Sequence, residues 1–546
     1  MSDHASPPKE RLAWWLDVVR WLQTIGKILK FGLFPLAGRL PIPAWRRDPF
    51  AVRFRHALEE LGLTYLKLGQ FLALRFDILP AEVCLELNHL FENVDAMPPG
   101  LAERAVAREF GAPVGTVFAS FSAEPIAAAS VGQVHIGYLH NGRKVAIKVQ
   151  RVGIEVIFRA DIRNLRRLTA MAQRLGAFGR MSGVEMLEQF ERWTLRELDF
   201  RSEGHTADRV RANAGQHAVV PQIHWDLTTA RVLTMEFIEG ISGSRLTDFI
   251  SSASPEEKRR RLADFSLHDA LYNFVEAALT QVFVDGFFHG DPHPGNIQFL
   301  SRNRVAFLDF GIFGSLSTTE RAVVTGQIEC LAVGDIGGSL RHYSRQVIVT
   351  EDTNIDRFNA QCLEVLYRWY HSMSDPRSSV GERHLARYSG EMIGISRANG
   401  LAYDMNYLLF WRAMTNLNAT LWHLDPDYDL IAHLKDFFQR TQPGLLARLR
   451  AAVCAPAWAQ TFGGLCRDAA GNVRDVLKEP PRVIATPAWS PRRERRLARS
   501  ATGGGMLLVL LALIVLTGVP GLDPTLRWGL PGGSILGVAL LLRGRR

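Results

Sequence analysis

Cysteine is scarce in this chain. The five present (Cys84, Cys330, Cys362, Cys454 and Cys466) lie scattered over 546 residues, with no pair at a metal-ligand spacing. That argues against zinc and iron–sulfur ligand sets and points to a reducing compartment. No G-x-G-x-x-G follows a strand-like run, so a dinucleotide fold has no fingerprint here. The first residues, MSDHASPPKERLAWWLDVV, place an acid at Asp3 and show neither a long apolar core nor a small-residue cleavage site, so no secretory signal is expected. No single charge sign dominates: 64 Lys and Arg against 55 Asp and Glu give +9. The basic excess is partly local, at Arg492, Arg493, Arg495, Arg496 and Arg499 and at Arg543, Arg545 and Arg546, a placement that suits an anionic membrane surface better than nucleic acid. With 47% hydrophobic and 22% charged residues, the chain is folded and carries some membrane-grade sequence.

What is present begins with His289-Gly290-Asp291-Pro292-His293-Pro294-Gly295-Asn296, followed by Asp309-Phe310-Gly311. Asp291 and Asn296 stand five apart, and Asp309 follows the apolar run Val305 to Leu308, so three oxygen-bearing side chains can converge on one point. This is the pattern of a kinase-like phosphoryl-transfer site, in which the loop Asp orients a nucleophile while the Asn and the second Asp hold magnesium against phosphates. Upstream, Val145-Ala146-Ile147-Lys148-Val149 follows the hairpin signal Asn141-Gly142 and supplies a strand-borne lysine for phosphates. The loop before it reads Ala127-x-Ala129-x-x-Gly132-x-Val134, with Ala128 and Ser130 between, so alanines replace the first two glycines of a phosphate loop. Each adds a Cβ and disfavours positive φ, which predicts a stiffer loop.

A phosphate-binding lysine needs a carboxylate to hold it, and the acid-rich stretch Arg196 to Glu203 offers Glu197 and Glu203; spacing leaves the choice open. Arg231 to Gly240, with Glu236 and Ile238, reads as a strand leaving into a hinge whose backbone could meet an adenine. Helices are expected over Leu12 to Leu33, Leu61 to Leu90, Asp161 to Leu175, Val184 to Glu203 and Leu267 to Gly286, with Ser251 to Arg261 as a charged linker. The first, with its Trp and Leu stripe, packs on the main domain or lies on a membrane, the former being the commoner arrangement. Lys67 sits on an apolar helical face, where a lysine ordinarily snorkels to solvent. From Thr318 to about Leu477 the sequence is mainly helical and shows no motif that carries chemistry. In the tail, Thr502 to Leu522 is 21 uncharged residues and Trp528 to Leu542 is 15, with Pro520, Gly521 and Pro524 at a turn between them. With basic clusters outside both, a transmembrane hairpin with both ends in the cytoplasm is expected.

Lys67-x-Gly69-Gln70, the alanine loop through Ser130, Val145 to Val149, Glu197-x-Asp199 with Glu203, His289 to Asn296 and Asp309-Phe310-Gly311 together resemble the UbiB (AarF-type) atypical kinase family. The resemblance implies an α+β, protein-kinase-like two-lobed fold. Its parts would be an N-terminal amphipathic helical region (1–50), a helical Lys-x-Gly-Gln extension (51–117), an N-lobe (118–240), a C-lobe (241–345), a helical C-terminal region (346–490) and a basic linker with the transmembrane hairpin (491–546). It implies Lys67 and Gln70 in the active site beside Glu197 and Asp199, Lys148 paired with Glu203 or else with Glu197, and ATP and magnesium as cofactors. A role in ubiquinone biosynthesis follows, at the cell inner membrane with the kinase-like domain cytoplasmic. Membrane lipid, prenyl-phenol quinone precursors and quinone-biosynthesis proteins would be its partners, and nucleic acid would not. Gly290 replaces the usual Arg before the catalytic Asp and no Ala-Pro-Glu follows, which tells against peptide phosphorylation. Two other functions compete with an ATPase or small-molecule kinase: a nucleotide-binding pseudokinase scaffold, and a polyprenyl-phenol monooxygenase, against which the missing dinucleotide and iron–sulfur motifs speak.

Overall fold

The computed structural model describes residues 8–32, 49–75, 79–91, 95–174, 182–215, 217–261, 265–348, 353–375, 377–379, 383 and 385–441. The strands described, in chain order, are β1 (Ser120–Ala128), β2 (Gly132–Tyr138), β3 (Lys144–Gln150), β4 (Ala218–Val219), β5 (Val232–Glu236), β6 (Ile241–Ser242), β7 (Phe287–His289), β8 (Ile297–Phe299), β9 (Val305–Phe307) and β10 (Phe313–Ser315), followed by the short pair β11 (Val347–Ile348) and β12 (Ala402–Tyr403). One antiparallel sheet has the order β1-β2-β3-β5; a second is ordered β4-β9-β8-β6, and β7 pairs with β10.

Alternation along β3 explains how the first sheet serves both a core and a cleft. Val145, Ile147 and Val149 are buried against Val106 and Phe118, in a cluster that includes the helix Leu101–Phe110. Ala146, Lys148 and Gln150 therefore point to the other face, toward the second half of the molecule. There the apolar helix Leu267–Leu279 runs through a π-helical turn, Thr280–Asp285, into Gly286 (φ 63°) and β7, delivering His289 and Asp291. The helices Thr318–Val333, Met405–Leu424 and Leu430–Thr441 share its core through Val324, Ile328, Phe410, Leu417, Leu421 and Phe437.

The helix Leu63–Ala73, which bears Lys67-Leu68-Gly69-Gln70, lies between Phe50–Leu61 and Ala81–Leu87. Phe71 closes it onto Phe190 and Trp193 of the helix Gly183–Leu198, with ring centroids 5.7 and 5.8 Å apart. Gly69 is needed for close approach: a Cβ there would stand 2.2 Å from Leu90 Cδ1 and 2.9 Å from Leu58 Cδ1. The N-terminal helix Pro8–Gly32 packs on this extension and on the helix Ile154–Arg174. Arg20 bonds both oxygens of buried Asp161 at 2.7 Å and the Leu61 carbonyl at 2.9 Å, and Thr24 meets the Tyr65 hydroxyl at 2.7 Å.

The mixed α+β kinase-like fold with helical extensions is thus as expected, with three corrections. The helix anticipated over Val184 to Glu203 is two helices, Gly183–Leu198 and Phe200–Asn213, broken at extended Asp199, whose carboxylate accepts from the Arg201 N–H. Ser251 to Arg261 is not a linker throughout: it ends the helix Gly243–Ser252 and contains the helix Pro255–Arg261. The transmembrane hairpin is the third. No helix among the described residues is long and apolar enough to cross a membrane. The 25-residue helix Pro8–Gly32 has the length, but its Arg20, Lys27 and Lys30 are spent on Asp161 and Glu60. The expected segments, Thr502 to Leu522 and Trp528 to Leu542, lie outside the described residues. The inner-membrane location and the cytoplasmic placement rested on that hairpin and are withdrawn with it.

Candidate phosphoryl-transfer site

Lys148 stands at the centre of the cleft. Its Nζ donates to both oxygens of Glu203, at 2.7 and 2.8 Å, and lies 3.8 Å from Asp309 Oδ1. Burial works against the ammonium, but Glu203 and Asp309 outweigh it and raise the Lys148 pKa. Burial also pushes Glu203 up against the pull of Lys148. With the ammonium favoured this strongly, the proton resides on Lys148 and the pair is ionic.

The break at Asp199 decides the choice that spacing left open. It turns Glu203, one turn into its helix, toward Lys148, and leaves Glu197, near the end of the preceding helix, to meet Lys67. The Lys67–Glu197 pair is buried, with the Lys67 Nζ 5.6 Å from the Trp193 ring centroid, so this lysine does not snorkel. Glu197 Oε2 has no hydrogen-bond partner. Gln70 donates to the Leu90 carbonyl at 2.9 Å, and its own Oε1 is likewise buried and unbonded. Asp199 is directed elsewhere: it chelates Arg201 at 2.9 and 2.7 Å.

Asp309 projects from the end of β9 with 41% of its side chain exposed. Desolvation opposes its charge, but Lys148, His289 and the Gly311 N–H at 3.1 Å hold its pKa at about 2. Asn296 donates its amide to the Asp291 carbonyl at 3.1 Å, leaving its side-chain oxygen for another role. His289 accepts the Asp291 N–H on Nδ1 at 3.0 Å, which makes it the Nε2–H tautomer; burial depresses its pKa to about 4, against Asp309 and Asp291. Gly290, where kinases usually carry an arginine, is closely packed: a Cβ would stand 3.1 Å from Ile312 Cγ2 and 3.2 Å from Leu409 Cδ2, so these neighbours would have to give by a few tenths of an ångström.

The residues that sequence reasoning missed hold Asp291. Arg412 Nη2 bonds Oδ2 at 2.8 Å and Asn416 Nδ2 bonds Oδ1 at 2.7 Å. Burial would raise the Asp291 pKa, but Arg412 and the nearby histidines bring it below the usual carboxylate value. The available signal was faint: two polar residues four apart, on one face of a helix otherwise filled by Leu408, Leu409, Trp411, Met414 and Leu417.

The alanine loop is only partly a loop. Ala127 and Ala128 pair with Val134 and Gln133 at the end of β1, so the turn itself is Ala129, buried Ser130 and Val131. No alanine there takes a positive φ. Val134 is the cross-strand neighbour of Lys148 and shares its face. Glu236 and Ile238 lie where β5 leaves for the second lobe; the Glu236 side chain is exposed, its N–H bonds the Gln222 carbonyl, and Ile238 is half-buried. Among the described residues no three His, Cys, Asp or Glu side chains form a metal cluster. A metal here would rely on Asn296, Asp309 and ligand oxygens.

The family model for the ABC1 atypical kinase-like domain matches residues 89–337. The chain is 36% identical over 411 residues to the chloroplastic protein Activity of bc1 complex kinase 7 of Arabidopsis thaliana, covering 73% of this chain and 56% of that relative's length. It is 32% identical over 379 residues to an uncharacterized protein of Synechocystis sp., covering 66% of this chain and 88% of the relative. A Mycobacterium tuberculosis protein solved in complex with erythromycin aligns at 20% identity and TM-score 0.45, over 71% of this chain and 94% of that one. With the Synechocystis protein matched over nearly its whole length and the domain matched through Lys148, Asp291 and Asp309, this chain belongs to the ABC1/UbiB family of atypical kinase-like enzymes.

Proposed function

We propose that this protein binds ATP with magnesium between Lys148 and Asp309 and transfers the terminal phosphoryl group to water or to a small lipid-like acceptor, in support of ubiquinone synthesis. The observation that carries the reading is Lys148 fixed between Glu203 and Asp309, an arrangement that aims one ammonium and one half-exposed carboxylate at the same space. Lys148 neutralises phosphate charge. Asp309 and the side-chain oxygen of Asn296 are hard oxygen donors that suit magnesium, with phosphate oxygens and water completing its shell. When bound, magnesium offsets the charge developing on the phosphoryl oxygens.

Asp291 orients the attacking group rather than serving as a strong base, because the pairing with Arg412 lowers its affinity for a proton. The Lys67–Glu197 pair lies within electrostatic reach of Lys148 and Asp309, and Gln70 lies on the same helix. We assign these residues to the side of the cleft where an acceptor would enter, and the family resemblance names prenyl-phenol quinone precursors as the acceptor class and quinone-biosynthesis proteins as partners. One observation favours a second reading, a nucleotide-dependent scaffold: both oxygens of Asp291 are already engaged.

Phosphate release from purified protein, with and without magnesium and a prenyl-phenol, separates the two. Turnover predicts release that Asp291→Asn abolishes; the scaffold predicts binding without release. Asp309→Asn should cut magnesium-dependent ATP affinity by at least about tenfold, since a neutral amide cannot offset a divalent cation beside phosphates. Unchanged affinity would remove Asp309 from the metal site.

A further inference from the structure

The turn Ala129 to Gly132 is closed by its own bond, Ala129 N–H to the Gly132 carbonyl at 2.8 Å, yet it is not left to itself. Arg151, the residue after β3, donates from its backbone N–H to the Val131 carbonyl at 3.0 Å and from Nε to the Ala129 carbonyl at 3.1 Å. Its Nη2 reaches the Asp95 carbonyl, so one guanidinium bridges the turn and the part of the extension that comes after its helix Ala81–Leu87. Gln133 makes the second tie: Oε1 accepts the Met97 N–H at 2.7 Å.

The orientation of that amide is dictated. His135 Nδ1 faces the Ser122 carbonyl at 2.7 Å, which can only accept, so Nδ1 carries the hydrogen and Nε2 is an acceptor. Gln133 Nε2, 2.7 Å from His135 Nε2, must be the donor there, and Oε1 is thereby turned to Met97. Gln133 and His135 are 2% and 1% exposed, so no water replaces a lost bond easily. At the other end of the same stretch, Gln70 of the extension grips the Leu90 carbonyl.

We propose that Gln133 and Arg151 are positioning residues that fix the alanine turn to the tail of the helical extension, so that the seat offered to a nucleotide's phosphates is set by where the extension lies. The proposal rests on the nucleotide reading above and deepens it. A glycine-rich phosphate loop adjusts to its ligand; this turn is held by two side chains that bond outside the sheet, and its response to a γ-phosphate is coupled to Asp95 and Met97.

The test is titration of ATP and of ADP, with magnesium, against the full chain and the variants Arg151→Ala, Gln133→Leu and Arg151→Lys, with thermal melts and amide exchange of the nucleotide-free proteins. Arg151→Ala and Gln133→Leu should change the ATP to ADP affinity ratio by about three- to tenfold, the range that one hydrogen bond's net worth produces. Exchange over Asp95 to Met97 and Ala129 to Gly132 should quicken in both. Arg151→Lys keeps the charge but not the two-carbonyl reach, and should fall between wild type and Arg151→Ala even if the alanine variant folds poorly. Lower melting temperatures with an unchanged ratio in every folded variant would make these residues merely structural and overturn the proposal. A wild-type chain that binds neither nucleotide would overturn the reading above, and the phosphate seat with it. Normal nucleotide binding with unaltered ratios would overturn this inference alone.

Discussion

Glu203 is the direct partner of the buried Lys148 ammonium, at 2.7 Å, while Asp309 stands farther off, at 3.8 Å. Glu203→Gln should therefore cost about 3–5 kcal/mol, the usual result of stranding one member of a buried pair. Denaturant unfolding of the variant checks it, and a loss below about 1 kcal/mol would mean that Asp309 takes over the lysine. His289 supplies a pH test. Its folded pKa of about 4 lies below the ordinary value near 6.5, so between those two pH values the unfolded chain binds a proton that the folded chain refuses. Stability from this residue is fully present above about 6.5 and is lost as pH falls toward 4, by up to about 3 kcal/mol. His289→Asn retains an acceptor for the Asp291 N–H and should lack that slope, which unfolding at pH 7 and at pH 5 would show; parallel losses in both proteins would clear His289 of the effect. At this scale Lys148, Asp291, Asn296 and Asp309 were legible as candidates because each follows a motif with fixed local spacing. Glu197 and Glu203 were legible only as a pair of candidates, because the backbone break that separates them depends on a capping carboxylate.

Elements were legible where the period was strong, as in β3, whose alternation places Lys148 opposite Val145, Ile147 and Val149. They were misread where one residue interrupts a favourable pattern. Asp199 takes an extended backbone conformation between the two helices, and its carboxylate accepts the Arg201 N–H as the N-cap of the second. The N-terminal helix illustrates a different limit. Its Trp and Leu stripe fits a core or an interface equally well, and the decision lies in a distant acid that no local pattern reveals. Asp161 is fully buried, and Arg20, 15% exposed, bonds both of its oxygens. Arg20→Ala should destabilise the fold by about 3–5 kcal/mol through the uncompensated carboxylate and free the helix Pro8–Gly32 from the extension. Chemical denaturation with limited proteolysis reports both. A variant as stable as wild type, with the helix still protected, would mean that the Lys27 and Lys30 pairs with Glu60 suffice to hold it.

Over the whole molecule, the site is assembled across far more chain than its motifs span, and this is why its last ligands escaped sequence reasoning. Arg412 and Asn416 reach Asp291 from 121 and 125 residues away, on a helix whose sequence is that of an ordinary core helix. That helix, Met405–Leu424, buries Tyr407, Phe410, Trp411, Met414, Leu417 and Leu421 in the core shared by Phe274, Phe288 and Phe310, and Leu409 fills the space beside Gly290. The segment that bears Asp291 is thus packed from both sides of the sequence. Ending the chain after Ser344 would keep every motif residue from Lys67 to Asp309, yet it would uncover this apolar surface and leave buried Asp291 without its cation. Each lost large side chain is worth roughly 1.5–3 kcal/mol of burial, so removing several exceeds the whole stability of an ordinary domain. A chain ending after Ser344 should therefore fail to fold, whereas a chain ending after Thr441, which retains both helices, should melt cooperatively and bind nucleotide as the full chain does. Circular dichroism melts and nucleotide titration of the two truncations decide it: cooperative melting and intact binding in the shorter one would show that the C-terminal helices are an accessory rather than a wall of the site.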